Sequence, residues 1–424
     1  MHNPISFSKS FSANDSHPNH LFFRVFLSMG SKSSAIKSGK LVALVIALCS
    51  GACTQTEVGG RNLAMTTSNW SAQADLWIMN HQEDSGLFPY FFNPELDQSI
   101  REQNLNGQLI TGHRLALAAK SRPRLRSAQE RHALAIHQEW NETSIKSLGS
   151  SISSIGSLGT QALFLRMRLS EARLADHLGK DLSELERRIA TLSHSLKQAW
   201  NSETGFSDYK ETSAKESEFN RRFYTPIVAL ALTEHSHYSK DETSLSVAIS
   251  AIDWLESSYP SNDERFFNPS HTPWYVEALF KLNSLSPKRE LVERIFLLSD
   301  QLLKLQATRE FPGRFWSESS PDYGSPNTLR DAQSTRVLLM ALELAVESDD
   351  EARIRRYRSG ARLALDNLRA HQYNLGSVEA FPNPSSAIGA VRFRYNTPII
   401  RLDSVVFSAI AFEHASELAW TNIL

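Results

Sequence analysis

The sequence predicts an all-α protein whose twelve helices pair as six hairpins and close into a ring, an (α/α)6 toroid. Three observations lead there. From about Asn69 onward the apolar residues recur mostly at three- and four-residue spacing, and few stretches alternate with period two. The links between predicted helices alternate between long ones rich in Gly, Pro, Ser and aromatic residues and short polar ones such as SRPR, GK, SKD, SPK and SDD. The helices themselves alternate between amphipathic and almost wholly apolar, as expected of an outer layer around a buried inner one.

At 424 residues, 41% hydrophobic and 21% charged, the chain has an ordinary globular composition, and a net charge of -1 excludes bulk attraction to nucleic acid or a membrane surface. The N-terminal region, residues 1–53, reads separately. Lys32, Lys37 and Lys40 precede the apolar run Leu41 to Leu48 and the small residues of CSGAC, the order of a signal peptide, with Met29 as the expected start. Ser50, Gly51, Ala52 and Cys53 resemble a bacterial lipoprotein signal, which implies lipidation at Cys53 and an outer-membrane or periplasmic location; Ser50 stands where such signals usually carry leucine, so ordinary secretion remains a second reading. Cys49 and Cys53 are the only cysteines, so the body of the chain has no disulfide, thiol nucleophile or cysteine metal ligand. Residues 54–68 read as a linker and 69–424 as one helical domain.

The helices are expected at 69–82, 103–119, 124–141, 158–178, 181–201, 223–238, 242–258, 271–285, 287–306, 329–347, 350–371 and 402–419. Long links inside each pair collect at one end of the ring and short links between pairs at the other. The second helix of several pairs is the apolar one, as in PIVALALTE, WYVEALFKL, RVLLMALELA and VVFSAIAFEHA. DLSELERRIATLSHSLKQAW and EARIRRYRSGARLALDNLRAH carry charged outer faces. An open solenoid of helical pairs would show the same alternation. The count of six pairs favours closure.

The segments GRFWSESSPDYGSPNTLRDAQSTR, PWYVEALFKL and GAVRFRYNTPIIRLD, set in this architecture, resemble the toroid superfamily of glycoside hydrolases, unsaturated uronyl hydrolases and sugar epimerases. The resemblance implies a substrate funnel at the N-terminal ends of the inner helices. Unpaired N–H groups and positive helix-dipole ends converge there, which suits hydroxyls and anions.

The residues expected at that mouth are rich in arginine and aromatics: Arg101, Arg222, His271, Trp274, Trp316, Tyr323, Arg330, Arg392 and Arg401 are the candidate substrate-binding set. Planar guanidinium forks suit carboxylate or sulfate, so an anionic polysaccharide is the expected partner. Hydrolysis needs two carboxylates about one glycosidic bond. Asp331 and Asp403 are the best pair, each at an inner-helix start, with Glu102 and Glu218 in reserve. Uronate epimerisation or elimination needs proton carriers instead, for which Tyr224, Tyr275, Tyr323, Tyr395 and His271 are candidates. Each of these residues also has a plain structural reading as a helix cap, a dipole partner or a packing group.

No cofactor is expected. The i, i+2 spacing of His235 and His237 would point them apart on a helix, so no metal site is expected either. The Ser/Gly-rich stretch 144–160 lacks the ending of a phosphate-binding loop. The sequence thus points to an exported, lipid-anchored carbohydrate-active protein, either a glycoside hydrolase or a uronate-modifying enzyme. Its alternative is a non-catalytic polysaccharide-binding or assembly lipoprotein of the cell envelope.

Overall fold

The computed structural model describes residues 62–63, 65–100, 104–140, 156–207, 214–263, 267–316 and 325–424, with no side-chain description for 156 and 214–220. Cys53, Arg101, Glu102 and Tyr323 therefore lie outside the described residues, as does the side chain of Glu218.

Among the described residues there are twelve α-helices. α1 spans 65–80, α2 Leu105–Ser121, α3 Arg126–Glu139, α4 Gly156–His177, α5 Ser183–Gln198 and α6 Ala214–Ser239. α7 spans Glu242–Ser258, α8 Thr272–Leu285, α9 Arg289–Lys304, α10 Thr328–Glu347, α11 Glu351–Ala370 and α12 Leu402–Trp420. Most boundaries fall within a few residues of those the apolar period predicts. The exception is α6, which begins nine residues before the expected 223. Its first turns, AKESEFNRR, lack an apolar period but consist largely of good helix formers, so propensity carries the helix back beyond its apolar run.

Two layers follow from the sequence pattern. α9 buries Leu291, Ile295, Phe296, Leu298 and Leu302, and α11 buries Ile354, Tyr357, Ala361, Ala364, Leu365 and Leu368, one stripe each. α10 and α12 bury most of their length on all sides. α2 packs on α4, α4 on α6, α6 on α8, α8 on α10, α10 on α12, and α12 returns to α2. That last contact closes the ring and excludes the open solenoid. α3, α5, α7, α9 and α11 lie outside α2, α4, α6, α8 and α10. Gly112 lets α2 and α4 approach closely, since a Cβ there would stand 2.5 Å from Met167 Sδ.

The closure has a second component that no period-two pattern announces. Short strands β1 (Phe91–Asn93) and β2 (Gln98–Ile100) form a hairpin in the loop between α1 and α2. β3 (Trp200–Asn201) and β4 (Gly205–Phe206) pair after α5. β5 (Ile400–Arg401), immediately before α12, pairs antiparallel with β1 in the register Phe91↔Arg401 and Phe92↔Ile400. The mouth loop of the first hairpin is thereby joined to the start of the last inner helix.

Inside the ring a polar network links all six inner helices. Arg166 on α4 donates to Glu234 on α6 at 2.9 and 3.0 Å and to Glu277 on α8 at 2.7 Å. Glu277 is also paired with Arg336 on α10 at 2.6 Å. Glu343 on α10 lies 3.4 Å from His414 on α12, Glu413 on α12 pairs with Arg114 on α2, and His113 on α2 shares a 2.8 Å hydrogen bond with Ser170 on α4. Burial opposes the charge on Glu277, but Arg336 and Arg166 hold its pKa down at about 2.

Removing one partner from a buried ion pair strands the other charge. Glu277→Gln is therefore expected to lower the unfolding free energy by about 3 kcal/mol, measured by urea denaturation; a loss below about 0.5 kcal/mol, the range of an ordinary surface substitution, would show that the network is dispensable.

Candidate functional site

The inner helices begin at one end of the ring, where residues of their first turns line a common cavity. Two of the starts are fixed by asparagine caps: Asn104 Oδ1 accepts the Gly107 N–H at 2.8 Å, and Asn327 Oδ1 accepts the Arg330 N–H at 3.0 Å. Both asparagines line a cavity of about 180 Å³ at this mouth, together with Tyr90, Asn106, Ser270, Trp274, Gln333, Arg330, Asp403 and Phe407. Its apolar floor includes Ile110, Leu163, Trp274 and Phe407.

Asp403 is the one carboxylate among the described residues lining this cavity. It stands in the first turn of α12, where Tyr90 donates its phenolic O–H to Oδ2 at 2.8 Å and Arg401 Nε donates to Oδ1 at 2.6 Å. Arg401 in turn stacks on Phe393, its guanidinium carbon 3.8 Å from the ring centroid. The β1–β5 pairing makes this arrangement possible, because it brings the residue preceding β1, Tyr90, beside the residues following β5. Leu402 N–H donates to the Tyr90 carbonyl at 2.9 Å.

Arg330 enters the cavity from α10. Its Nη2 donates to Ser270 Oγ at 3.1 Å, while Nη1 is buried and has no hydrogen-bond partner among the described residues. Burial lowers its pKa, with Asp331 and Tyr395 only partly offsetting that. A buried guanidinium nitrogen short of a partner carries an unmet hydrogen-bonding demand.

Asp331, the other half of the expected pair, faces the opposite way. Oδ1 accepts the Phe315 N–H at 2.8 Å, and Oδ2 accepts Asn367 Nδ2 at 3.2 Å and the Tyr395 hydroxyl. It lies outside the mouth cavity and ties two loops to α10 and α11. Burial raises its pKa to about 6 despite these donors.

The remaining candidates are dispersed. Tyr224 is fully buried and donates to the Phe206 carbonyl at 3.0 Å. Arg222 lies over Tyr259, 5.2 Å from the ring centroid, beside His271 and Tyr275 in a separate gap of about 30 Å³. Burial and then Arg222 push the His271 pKa down to about 3. Trp316 and Arg392 sit outside the mouth, Trp316 beneath Arg314 and Arg392 over Tyr373. Of the predicted residues the mouth thus collects Asp403, Arg330 and Trp274, with Arg401 one hydrogen bond behind.

Tyr90, Asn106, Ser270 and Gln333 carry no sequence signal for this position. Asn104 and Asn327 do, since an asparagine before an apolar helix reads as a cap. A larger cavity of about 410 Å³ opens at the C-terminal ends of the inner helices and is lined by the Arg166–Glu277–Arg336 network, Arg114 and Glu413. Ile110, Leu163, Trp274 and Phe407 line both cavities and form a waist between them. Among the described residues no group of three His, Cys, Asp or Glu is placed to hold a metal ion, and no helix is long and apolar enough to cross a membrane.

The Asp331 assignment has a pH signature. Its folded pKa lies above the unfolded value, so its protonated form stabilises the fold below about pH 4, and that contribution is lost as pH rises through about 6. Asp331→Asn is expected to flatten the pH dependence of the melting temperature in that window. An unchanged profile would show that Asp331 does not titrate there.

Neither a protein-family model nor a curated protein matches the chain in sequence. Solved structures do match in fold. An α-1,6-mannanase of Salegentibacter, in complex with α-1,6-mannotriose, aligns at 11% identity and a TM-score of 0.59 over 83% of this chain and 99% of its own. A D-mannose isomerase aligns at 12% identity and 0.58 over 84% and 97%. An unsaturated glucuronyl hydrolase specific for heparin aligns at 9% identity and 0.59 over 83% and 97%. At these identities the similarity is one of architecture, and the chain shares with those carbohydrate-active enzymes the (α/α)6 toroid fold.

Proposed function

We propose that this protein is a carbohydrate-active enzyme whose mouth cavity takes an acidic sugar residue of a polysaccharide. The observation that carries the reading is the meeting of Arg330, with an unpartnered buried nitrogen, and the Asp403–Tyr90 pair in one cavity. Arg330 and Ser270 supply a carboxylate or sulfate receptor, Trp274 and Phe407 supply flat apolar faces, and the capping asparagines and Gln333 supply hydroxyl partners.

The carboxylate and phenol suit uronate chemistry. With the sugar carboxyl on Arg330, Asp403 removes the C5 proton, the electron pair spreads into that carboxyl and expels the C4 oxygen substituent, and Tyr90, hydrogen-bonded to Asp403 and so on the same side of the ring, protonates the departing oxygen, leaving a C4–C5 double bond. Glycoside hydrolysis is the second reading, supported by the shared fold with the mannanase and the glucuronyl hydrolase; there Asp403 would serve as one of two carboxylates. A polysaccharide-binding lipoprotein is the non-catalytic reading, and the single carboxylate among the described mouth residues favours it. The lysine-led apolar segment and Cys53 support export and lipid anchoring in all three cases.

A panel of acidic and neutral polysaccharides, monitored for reducing ends, unsaturated products and C5 inversion, separates these readings. Asp403→Asn is expected to lower turnover by about a hundredfold or more while leaving binding in place. Arg330→Gln is expected to weaken binding of acidic polymers by about tenfold and neutral ones little. Wild-type turnover in Asp403→Asn would overturn the catalytic role, and binding without product would support the non-catalytic reading.

A further inference from the structure

We propose that Phe311, Arg314 and Tyr395 form a second saccharide subsite outside the mouth cavity, taking an acidic residue of the same extended polymer. The inference rests on the acidic-polysaccharide reading of the mouth.

The segment between α9 and α10 turns sharply on itself. Ala307 N–H donates to the Arg314 carbonyl at 2.9 Å, and Gly313 N–H donates to the Ala307 carbonyl at 2.8 Å. Gly313 has φ +94°, and a Cβ there would stand 2.2 Å from the Leu363 carbonyl, so the turn is seated directly on α11. At its tip Phe311 has φ +46°, a left-handed conformation that costs a bulky residue energy, and the residue is 48% exposed. A large apolar side chain held in solvent on a strained backbone, above a tightly seated turn, has the form of a preorganised contact surface.

Its neighbours extend that surface. The Phe311 ring lies 4.9 Å from that of Tyr395, tilted by 39°. Tyr395 is fixed from behind by its hydroxyl bond to Asp331 and from the side by the His371 ring at 4.5 Å. The Arg314 guanidinium sits 5.2, 5.1 and 5.8 Å from the centroids of Phe311, Trp316 and Tyr395. No carboxylate pairs with Arg314 among the described residues, and its Nε is buried without a hydrogen bond. Aromatic faces partly offset the burial of a cation but leave its hydrogen-bonding demand unmet.

A flat apolar ring beside an uncompensated guanidinium matches a pyranose that carries a carboxylate or sulfate. A neutral sugar would use only the ring, and the chain's net charge of -1 gives no general affinity for polyanions such as nucleic acid. The platform is coupled to the mouth by a single step in sequence. Asp331, which fixes Tyr395 and the turn, follows Arg330, which enters the cavity. One chain reaching across the rim would engage both, and the gain is an effective-concentration effect that a short oligosaccharide cannot exploit.

Calorimetric titration of the full chain with a disaccharide and a long oligosaccharide of heparin and of polygalacturonate, with dextran oligosaccharides as the neutral control, tests this. Phe311→Ala, Phe311→Leu and Arg314→Gln are expected to weaken the long acidic oligosaccharides by about three- to tenfold and leave the disaccharides unchanged, with Arg314→Lys recovering part of the loss. Arg330→Gln should weaken both lengths. The platform is refuted if its variants bind the long acidic ligands as the wild type does, or lose the disaccharides to the same degree. If Arg330→Gln alone has an effect, the mouth reading survives and the platform does not. If the wild type binds no acidic oligosaccharide, both fall.

Discussion

Arg166 is the group on which the inner ring turns. It projects from α4 into the interior, where burial opposes its charge, but Glu234 and Glu277 more than offset that and hold its pKa above the ordinary value. Through those two carboxylates it ties α4 to α6 and α8, and through Glu277 it reaches Arg336 on α10. Apolar side chains can pack six helices in many registers with similar energy, whereas a buried guanidinium tolerates few arrangements in which its donors are met. The network contributes chiefly by excluding alternatives. Replacing all of it with well-packed apolar residues need not destabilise the fold, but removing one member does.

The same logic applies at the seam where the ring closes. Arg114 on α2 is bonded to Asp75 on α1 at 2.9 and 2.7 Å and to Glu413 on α12, so the first two helices and the last meet at one guanidinium. The β1–β5 pairing repeats the closure at the mouth. Without it Tyr90 would have no reason to stand beside Asp403, 313 residues away in sequence. The functional site is therefore a product of closure, not of any one hairpin, and this is why residues read one helix at a time form such an incomplete picture of it.

How much was legible follows from that distinction. The inner and outer helices were readable because amphipathicity is local, and the α6 start was misplaced because propensity without an apolar period leaves no boundary mark. Asp403, Arg330 and Trp274 were readable as mouth residues because position along an inner helix fixes height in the ring. Rotation about the helix axis was not readable. Asp331 is only one residue beyond Arg330, about 100° further round the helix, and that turn carries it from the lumen to the outer wall, where Phe315, Asn367 and Tyr395 receive it. The ionic network was missed for the opposite reason. Arg166 in QALFLRMRL and Glu277 in PWYVEALFKL are charges set among apolar residues of inner helices, a signal of buried pairing that invites a search for partners.

The two cavities on the ring axis differ in how their charges are disposed. At the C-terminal end the guanidiniums of Arg114, Arg166 and Arg336 each have carboxylates of this chain within ion-pair distance, so the arginines of the larger cavity are compensated within the protein. Among the described residues Arg330 at the mouth has none and keeps a nitrogen unmet. Helix dipoles reinforce the contrast, since the parallel inner helices direct their positive ends to the mouth and their negative ends to the base. Both features make the mouth the more electropositive of the two ends. Size alone would favour the basal cavity, yet the unmet charge lies at the mouth, above the apolar waist of Ile110, Leu163, Trp274 and Phe407. Binding energy comes from charge the protein has left uncompensated, and of the two axial cavities it is the mouth that holds such a buried guanidinium.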